Sequence, residues 1–258
     1  MRRFFIDPTL ITGDNTTIID QEARHISTVL RLKPGNVIEL FDGTGLVYQV
    51  EISTVSKSSI KAKITKRSYH QLKAPFLTLA QSVIKGKKMD LIVQKATELG
   101  VSTFQPIISQ HCDIKTVPNG QLDRWQRISL EACKQCNRPT PMICLPTISI
   151  DQLIFQANLS TTKFIFWENS SPAPLPQQLT PLDGHVLILI GPEGGFSKSE
   201  VQGATRQGFV PKTLGPLILR AETAAITAIS IIQFLLGNLN QPECPIEFTD
   251  STPPQTIS

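Results

Sequence analysis

Two short segments of this 258-residue chain concentrate the residue types that can do chemistry. The first is Gly191-Pro192-Glu193-Gly194-Gly195, where glycines let backbone approach a ligand and leave amide groups free to bind it. Its spacing matches neither the GxGxxG of a dinucleotide fold nor the Gly-Lys-Ser/Thr ending of a P-loop. Glu193 puts a carboxylate inside the turn, which would repel a polyphosphate and suits a ligand that is uncharged or cationic there. An ordinary structural turn is the competing reading. The second segment, Leu214 to Thr223, holds Gly215 and then Arg220 and Glu222 just before the apolar run Ala224 to Leu236. Charges beside a buried helix need partners, so this pair reads either as a structural ion pair at a helix N-terminus or as a functional pair.

The elements that must position these residues follow from periodicity. Val186 to Ile190 is apolar at every position, as expected of a parallel strand covered on both faces. Ser197 with Glu200 three residues on fits a capping box that starts the next helix. From Phe76 onward, strands at 76–81, 103–108, 163–167, 186–190 and 209–214 alternate with helices near 89–99, 122–137, 151–157 and 198–207. That alternation predicts an α/β domain with a mostly parallel sheet, and the apolar helix 224–236 belongs in a core or a subunit interface. Residues 170–181, rich in proline and serine, read as a loop. Before about His70 the pattern is instead short strands at 3–6, 37–42, 46–56 and 59–68, with one helical candidate at 20–32, which favours a small barrel. The expected organisation is a barrel over 1–72, an α/β domain over 73–242 and an aperiodic, flexible tail over 243–258.

Net charge is only +4, so the distribution of charge matters more than its total. From Ile52 to Met89 there are nine lysines and arginines and no carboxylate, a segregation suited to a polyanion such as nucleic acid or to a merely solvated face. Arg124, Arg127, Glu131, Lys134 and Arg138 recur at helical spacings and predict one charged face, with Trp125, Ile128 and Ala132 turned to a core. The N-terminus lacks the apolar core of a secretion signal, and Ala224 to Leu236 falls short of a bilayer span. With five scattered cysteines, this reads as a cytoplasmic protein. Cys133-Lys134-Gln135-Cys136 lacks the further ligands zinc needs, so two small thiols on a helix and no metal are expected.

Together the two turns are more specific than either alone. GPEGGFSxxE followed by LGxxILRAETAAITA resembles the RsmE-type 16S rRNA (uracil-N3)-methyltransferases of the SPOUT class. RRFF near the start, His25 to Arg31, Lys85 to Val101 and Arg124 to Arg138 look like further blocks of that family. The resemblance implies an N-terminal PUA-like barrel and a C-terminal α/β domain ending in a trefoil knot. It implies S-adenosylmethionine as cofactor, held by Leu189, Ile190, Gly191, Glu193, Gly194 and Gly195 and by Leu214, Gly215, Leu219 and Arg220, with a lesser part for the loop at Glu168. It implies 16S rRNA, within the small ribosomal subunit, as substrate and a homodimer built on the apolar helix, with no membrane association. Uridine N3 must lose a proton to become nucleophilic, so Arg220 is assigned to the developing anion and Glu222 to the proton, directly or through water. Arg2, Arg3, His25, Arg31, Lys87, Lys88, Arg124 and Arg138 are the candidates for RNA contact. Two other classes compete: an inactive RNA-binding assembly factor of the same fold, and a phosphate-ligand α/β enzyme, which Glu193 and the missing P-loop lysine disfavour.

Overall fold

Residues 1–70, 74–157, 161–170, 175–181, 184–239 and the backbone of 246–248 are described by the computed structural model. The expected boundary between 72 and 73, residues 171–174 of the expected loop, and the tail from 243 apart from 246–248 lie outside the described residues. The chain divides into two compact units.

The first unit, Met1–Leu72 with Lys134–Thr140 and a strand near the C-terminus, is built on antiparallel pairing. Its strands are β1 (Arg3–Phe5), β2 (Ile11–Thr12), β3 (Asn15–Ile19), β4 (Val37–Phe41), β5 (Leu46–Val55) and β6 (Ser59–Tyr69), in the order β1-β4-β5-β6-β3-β2. Only β1 and β4 run parallel among these pairs. Register shifts between β5 and β6 near Gln49 and Ile52 mark irregularities of the kind that bend a sheet and let it curl round a core. On β6 the alternation is strict: Ile60, Ala62 and Ile64 are buried while Lys61 and Lys63 face solvent. The enclosed core also takes Phe4, Ile18, Ile38, Leu40, Val50 and Ile52. The helical candidate at 20–32 splits into α1 (Asp20–Arg24) and a wider π-helical turn over His25–Val29, so the segment is less regular than expected.

The second unit, Lys73–Cys133 with Pro141–Gln241, is a sheet between helix layers. In chain order it comprises β7 (Phe76–Ser82), α2 (Lys88–Glu98), β8 (Thr103–Ile108), α3 (Gln121–Cys136), β9 (Ile143–Cys144), β10 (Ile148–Ser149), α4 (Ile150–Gln156), β11 (Thr162–Phe166), β12 (His185–Ile190), α5 (Lys198–Arg206), β13 (Phe209–Lys212) and α6 (Ala221–Leu235). The strand order is β10-β8-β7-β12-β11-β13, with β9 beside β8, and every pair is parallel. The uninterrupted apolar run of β12 has a direct cause. Val186, Ile188 and Ile190 join a core with residues of α2, α3 and α6, whereas Leu187 and Leu189 join a second core with residues of α4 and α5 on the opposite face. The last strand is shorter than expected, ending at Lys212 rather than at 214, which frees Thr213 and Leu214 for the following turn. Helix α6 starts three residues earlier than expected, so Glu222 sits inside its first turn. A final strand, β14 (Ile246–Phe248), pairs with β6 where the tail was expected to lack structure. No helix among the described residues is long and apolar enough to cross a membrane.

Candidate active site

At the carboxyl end of β12 the chain leaves the sheet through Gly191, and Pro192 to Gly195 closes a turn with the Gly195 amide donating to the Pro192 carbonyl at 3.0 Å. Gly195 has φ of +66°, and a Cβ there would meet Glu168 Oε1 at 2.8 Å, so glycine is required both by conformation and by close approach. Neighbouring strand ends hold the turn. Gln81, at the end of β7, donates to the Gly191 carbonyl at 3.2 Å. His111, on the loop after β8, places Nδ1 3.1 and 3.2 Å from the Gly194 and Gly195 carbonyls, which accept only if that nitrogen carries the proton.

The capping box is present as the sequence predicts: Ser197 Oγ accepts from the Glu200 amide, and Glu200 Oε2 accepts from the Ser197 amide at 2.9 Å. Glu200 does more than cap. It is buried, and its other oxygen accepts from the Gln110 amide at 2.7 Å, which fixes the start of α5 to the loop that carries His111. Gln81, His111 and Gln110 are the supports that sequence reasoning missed, because their partners are about 80 to 110 residues away and no local pattern marks them.

The second turn faces the first across a cleft of about 270 Å³. Phe166, Trp167 and Glu168 at the end of β11 form one wall. Pro192 to Gly195 and Thr213, Leu214, Leu217, Ile218 and Leu219 form the others, with Ala224 of α6. Of the residues expected to hold a cofactor, Glu193, Gly194, Gly195, Leu214 and Leu219 line this cleft. Leu189 and Ile190 do not, since their side chains fill the two cores of the sheet. Gly191, Gly215 and Arg220 are also outside the lining; Gly191 forms the exit from β12, Gly215 takes φ of +103° within the turn, and Arg220 is the exposed N-cap of α6. The aromatic wall at Phe166 and Trp167 was not anticipated. The buried indole Nε1 of Trp167 has no hydrogen-bond partner among the described residues.

Lys88, expected to contact RNA, reaches the same place from the first turn of α2. Its Nζ lies 2.9 Å from Glu193 Oε1 and 4.0 Å from Glu222 Oε2. The hydrogen bond to Glu193 holds the ammonium above the ordinary lysine range against the cost of burial, the charges of Glu193 and Glu222 adding to it and Arg220 opposing it. Glu222 Oε2 is buried and accepts no hydrogen bond from the described residues. Thus the structure gathers a carboxylate from each turn around one ammonium.

The remaining cations separate into exposed and committed groups. Arg2, His25, Arg31 and Lys87 are exposed, and the His25 ring meets the Phe4 ring edge-on at 5.8 Å. Arg3 is not available as expected: it is 9% exposed, pairs with Glu39 at 3.1 Å and stacks over Phe41, so it serves the β1–β4 edge of the first unit. Arg138 also departs from its expected face. Helix α3 ends at Cys136, Asn137 turns the chain with φ of +62°, and Arg138 is buried. Arg124 keeps its outward position but forms a paired contact with Asp90 of α2, Nε at 3.2 Å and Nη2 at 2.5 Å. Lys134 pairs with Glu22. Cys112, Cys133 and Cys144 are buried and Cys136 partly so, and among the described residues no cluster of three or more histidine, cysteine or acidic side chains could hold a metal.

Comparison with known proteins gives this geometry a context. The sequence profile described as an RNA methyltransferase domain matches residues 71–233, and one described as an RNA methyltransferase PUA domain matches 18–65. A ribosomal RNA small subunit methyltransferase E from Buchnera aphidicola (subspecies Schizaphis graminum) is 33% identical, the match covering 92% of this chain and 98% of that protein. The crystal structure of a ribosomal RNA small subunit methyltransferase E from Neisseria gonorrhoeae bound to S-adenosyl methionine superposes with a TM-score of 0.82 at 35% identity, covering 92% of this chain and 98% of that one. A Legionella pneumophila chain in complex with the same cofactor gives 0.79 at 30% identity, covering 90% and 97%. The chain therefore belongs to the ribosomal RNA small subunit methyltransferase E family, with a PUA-like first unit and a SPOUT-class α/β second unit.

Proposed function

We propose that the protein uses S-adenosylmethionine to methylate N3 of one uridine of 16S ribosomal RNA in the small ribosomal subunit, acting as a cytoplasmic homodimer. The observation that carries this reading is the cleft between the two glycine-containing turns, in a fold shared over nearly the whole chain with a relative bound to that cofactor. Its walls suit such a ligand: Phe166 and Trp167 offer apolar and aromatic surface, and Glu193 offers negative charge rather than a phosphate cradle. When bound, the cofactor supplies an electrophilic methyl group on a sulfonium.

The chain's part is then positioning and charge. The turn braced by Gln81, His111 and Glu200 holds the cleft rigid, which favours an in-line approach. Uridine N3 carries a proton and reacts once it is lost. Glu222, through the carboxylate oxygen that does not face Lys88, is the group assigned to take that proton, directly or through water, and Arg220 beside it is assigned to the anion that forms on the base carbonyls. Arg2, His25, Arg31 and Lys87, with Lys61 and Lys63 on the outer face of β6, are the exposed cations suited to RNA phosphates. The division of labour between 1–72 and 73–242, with the last segments knotted, is part of the same proposal. It draws support from β13 lying outside β11 while α6 returns to pack on β12 and β7. Leu217, Ile218 and Phe234 are 76%, 88% and 58% exposed, apolar surface that a second copy would cover.

Mapping the methylated nucleotide in 16S rRNA from cells lacking and then regaining the gene tests the substrate. Single-turnover transfer by Arg220→Ala at saturating cofactor and RNA tests the mechanism, since full activity there would remove Arg220 from it. A folded protein that binds RNA but not S-adenosylmethionine in calorimetry would restore the assembly-factor reading.

A further inference from the structure

Lys88 is placed where neither a structural ion pair nor an RNA contact accounts for all of its surroundings. Its ammonium makes a charge-assisted hydrogen bond to Glu193, which lines the cleft, and stands 4.0 Å from Glu222 Oε2, a buried carboxylate oxygen that accepts no hydrogen bond from the described residues. One cation is thus shared unequally between two carboxylates, with Glu193 taking the bond and Glu222 left short of one. Arg220, close enough to oppose the charge of Lys88, and exposed Lys87 beside it are further charged groups of the neighbourhood, as is Glu168 on the cleft wall. A cationic ligand entering the cleft near Glu193 would bring a further positive charge to a carboxylate that already has a partner. Moving Lys88 Nζ by little more than 1 Å would bring it to hydrogen-bond distance of Glu222 Oε2, and a lysine stem is flexible enough for that.

We propose that Lys88 is an exchangeable counter-ion: it holds Glu193 when the cleft is empty or contains a neutral thioether, and passes to Glu222 when a sulfonium occupies the cleft, leaving Glu193 to face the sulfonium charge. The consequence is discrimination between cofactor and product. Methyl transfer removes the positive charge from sulfur, Lys88 returns to Glu193, and the product loses the carboxylate that favoured its charged precursor. This inference rests on the assignment of S-adenosylmethionine to the cleft.

The test is calorimetric titration of the wild-type protein, Lys88→Met and Glu193→Gln with S-adenosylmethionine and with S-adenosylhomocysteine, which differ by the methyl group and the charge on sulfur. Removing the competing ammonium leaves Glu193 uncompensated, so Lys88→Met should raise the preference for the charged ligand over the neutral one by roughly five- to tenfold. Glu193→Gln should lower that preference by a similar factor. The two opposite signs separate a charge effect from a structural one, which would weaken both ligands together. Glu168 is the other carboxylate lining the cleft, and the Lys88→Met effect should persist in Glu168→Gln. A preference unchanged within twofold in Lys88→Met, or in Glu193→Gln alone should Lys88→Met fail to fold, overturns the proposal while leaving the cofactor assignment intact. A folded wild-type protein that binds neither ligand overturns both.

Discussion

Replacing Glu200 with alanine probes the whole support of the first turn, because one buried side chain carries three interactions there. Glu200 accepts from the Ser197 amide at 2.9 Å, from Ser197 Oγ at 3.0 Å and from the Gln110 amide at 2.7 Å. Loss of the capping partner costs about 1 kcal/mol. The bond from Gln110 to a charged acceptor contributes about 1.5–3 kcal/mol, and its donor loses its partner in the variant. Alanine returns a few tenths of a kcal/mol through helix propensity, so the net loss should be about 3 kcal/mol. At about 2–4 °C per kcal/mol for a chain of this size, Tm should fall by roughly 6–12 °C. Urea and thermal unfolding followed by circular dichroism read the stability, and calorimetric titration with S-adenosylmethionine reads the turn. Glu200→Ala should weaken cofactor binding more than Ser197→Ala does, since Ser197→Ala leaves the tie to Gln110 in place. A loss of stability under 1 kcal/mol, or equal binding by the two variants, would refute the claim that Glu200 fixes the turn to the loop after β8.

Gly195→Ala must adopt φ of +66° and push Glu168 aside, costing about 1–2 kcal/mol of stability and weakening S-adenosylmethionine binding; adding Glu168→Ala should restore only the part due to contact, and full rescue in unfolding and titration experiments would deny the conformational requirement. Arg3→Ala should destabilise the protein by about 2 kcal/mol through loss of the Glu39 pair and the Phe41 contact, whereas Arg2→Ala should leave Tm unchanged and lower RNA affinity with a shallower salt dependence; the reverse pattern would contradict their placement. Burial pushes the Cys144 thiol from its ordinary 9.0 up to about 12. Because the folded state retains that proton where the unfolded chain loses it, this thiol's effect on stability is flat below about pH 9 and is a loss of stability as pH rises from 9 towards 12. Native alkylation at pH 8.5 should label Cys136 before Cys144, and equal labelling of the two by mass spectrometry would contradict the burial.

The α/β architecture of the second unit was legible because its signals are local and agree with one another. An apolar strand, a glycine exit and a capping box follow in order at 186–200, and two covered faces are the physical reason such a strand has no polar position. Charge was less legible. Periodicity placed Arg124 and Arg127 on an outer face, yet it could not foresee that the chain turns at Asn137 and buries Arg138 or that Arg3 is buried against Phe41. Helical spacing describes a face only as far as the helix continues, and exposure depends on what packs over a residue.

Sequence alone determined the two turn motifs, the elements that carry them and the family they resemble, since glycine conformation, capping and strand burial act over a few residues. Tertiary structure alone decided the partnerships. It brought Trp167 to the cleft wall, set Gln81, His111 and Gln110 behind the first turn, and drew Lys88 between Glu193 and Glu222. The reason is physical: parallel pairing brings the carboxyl ends of strands distant in sequence to one edge, and the electrostatics of that edge depend on distances that only the assembled sheet fixes.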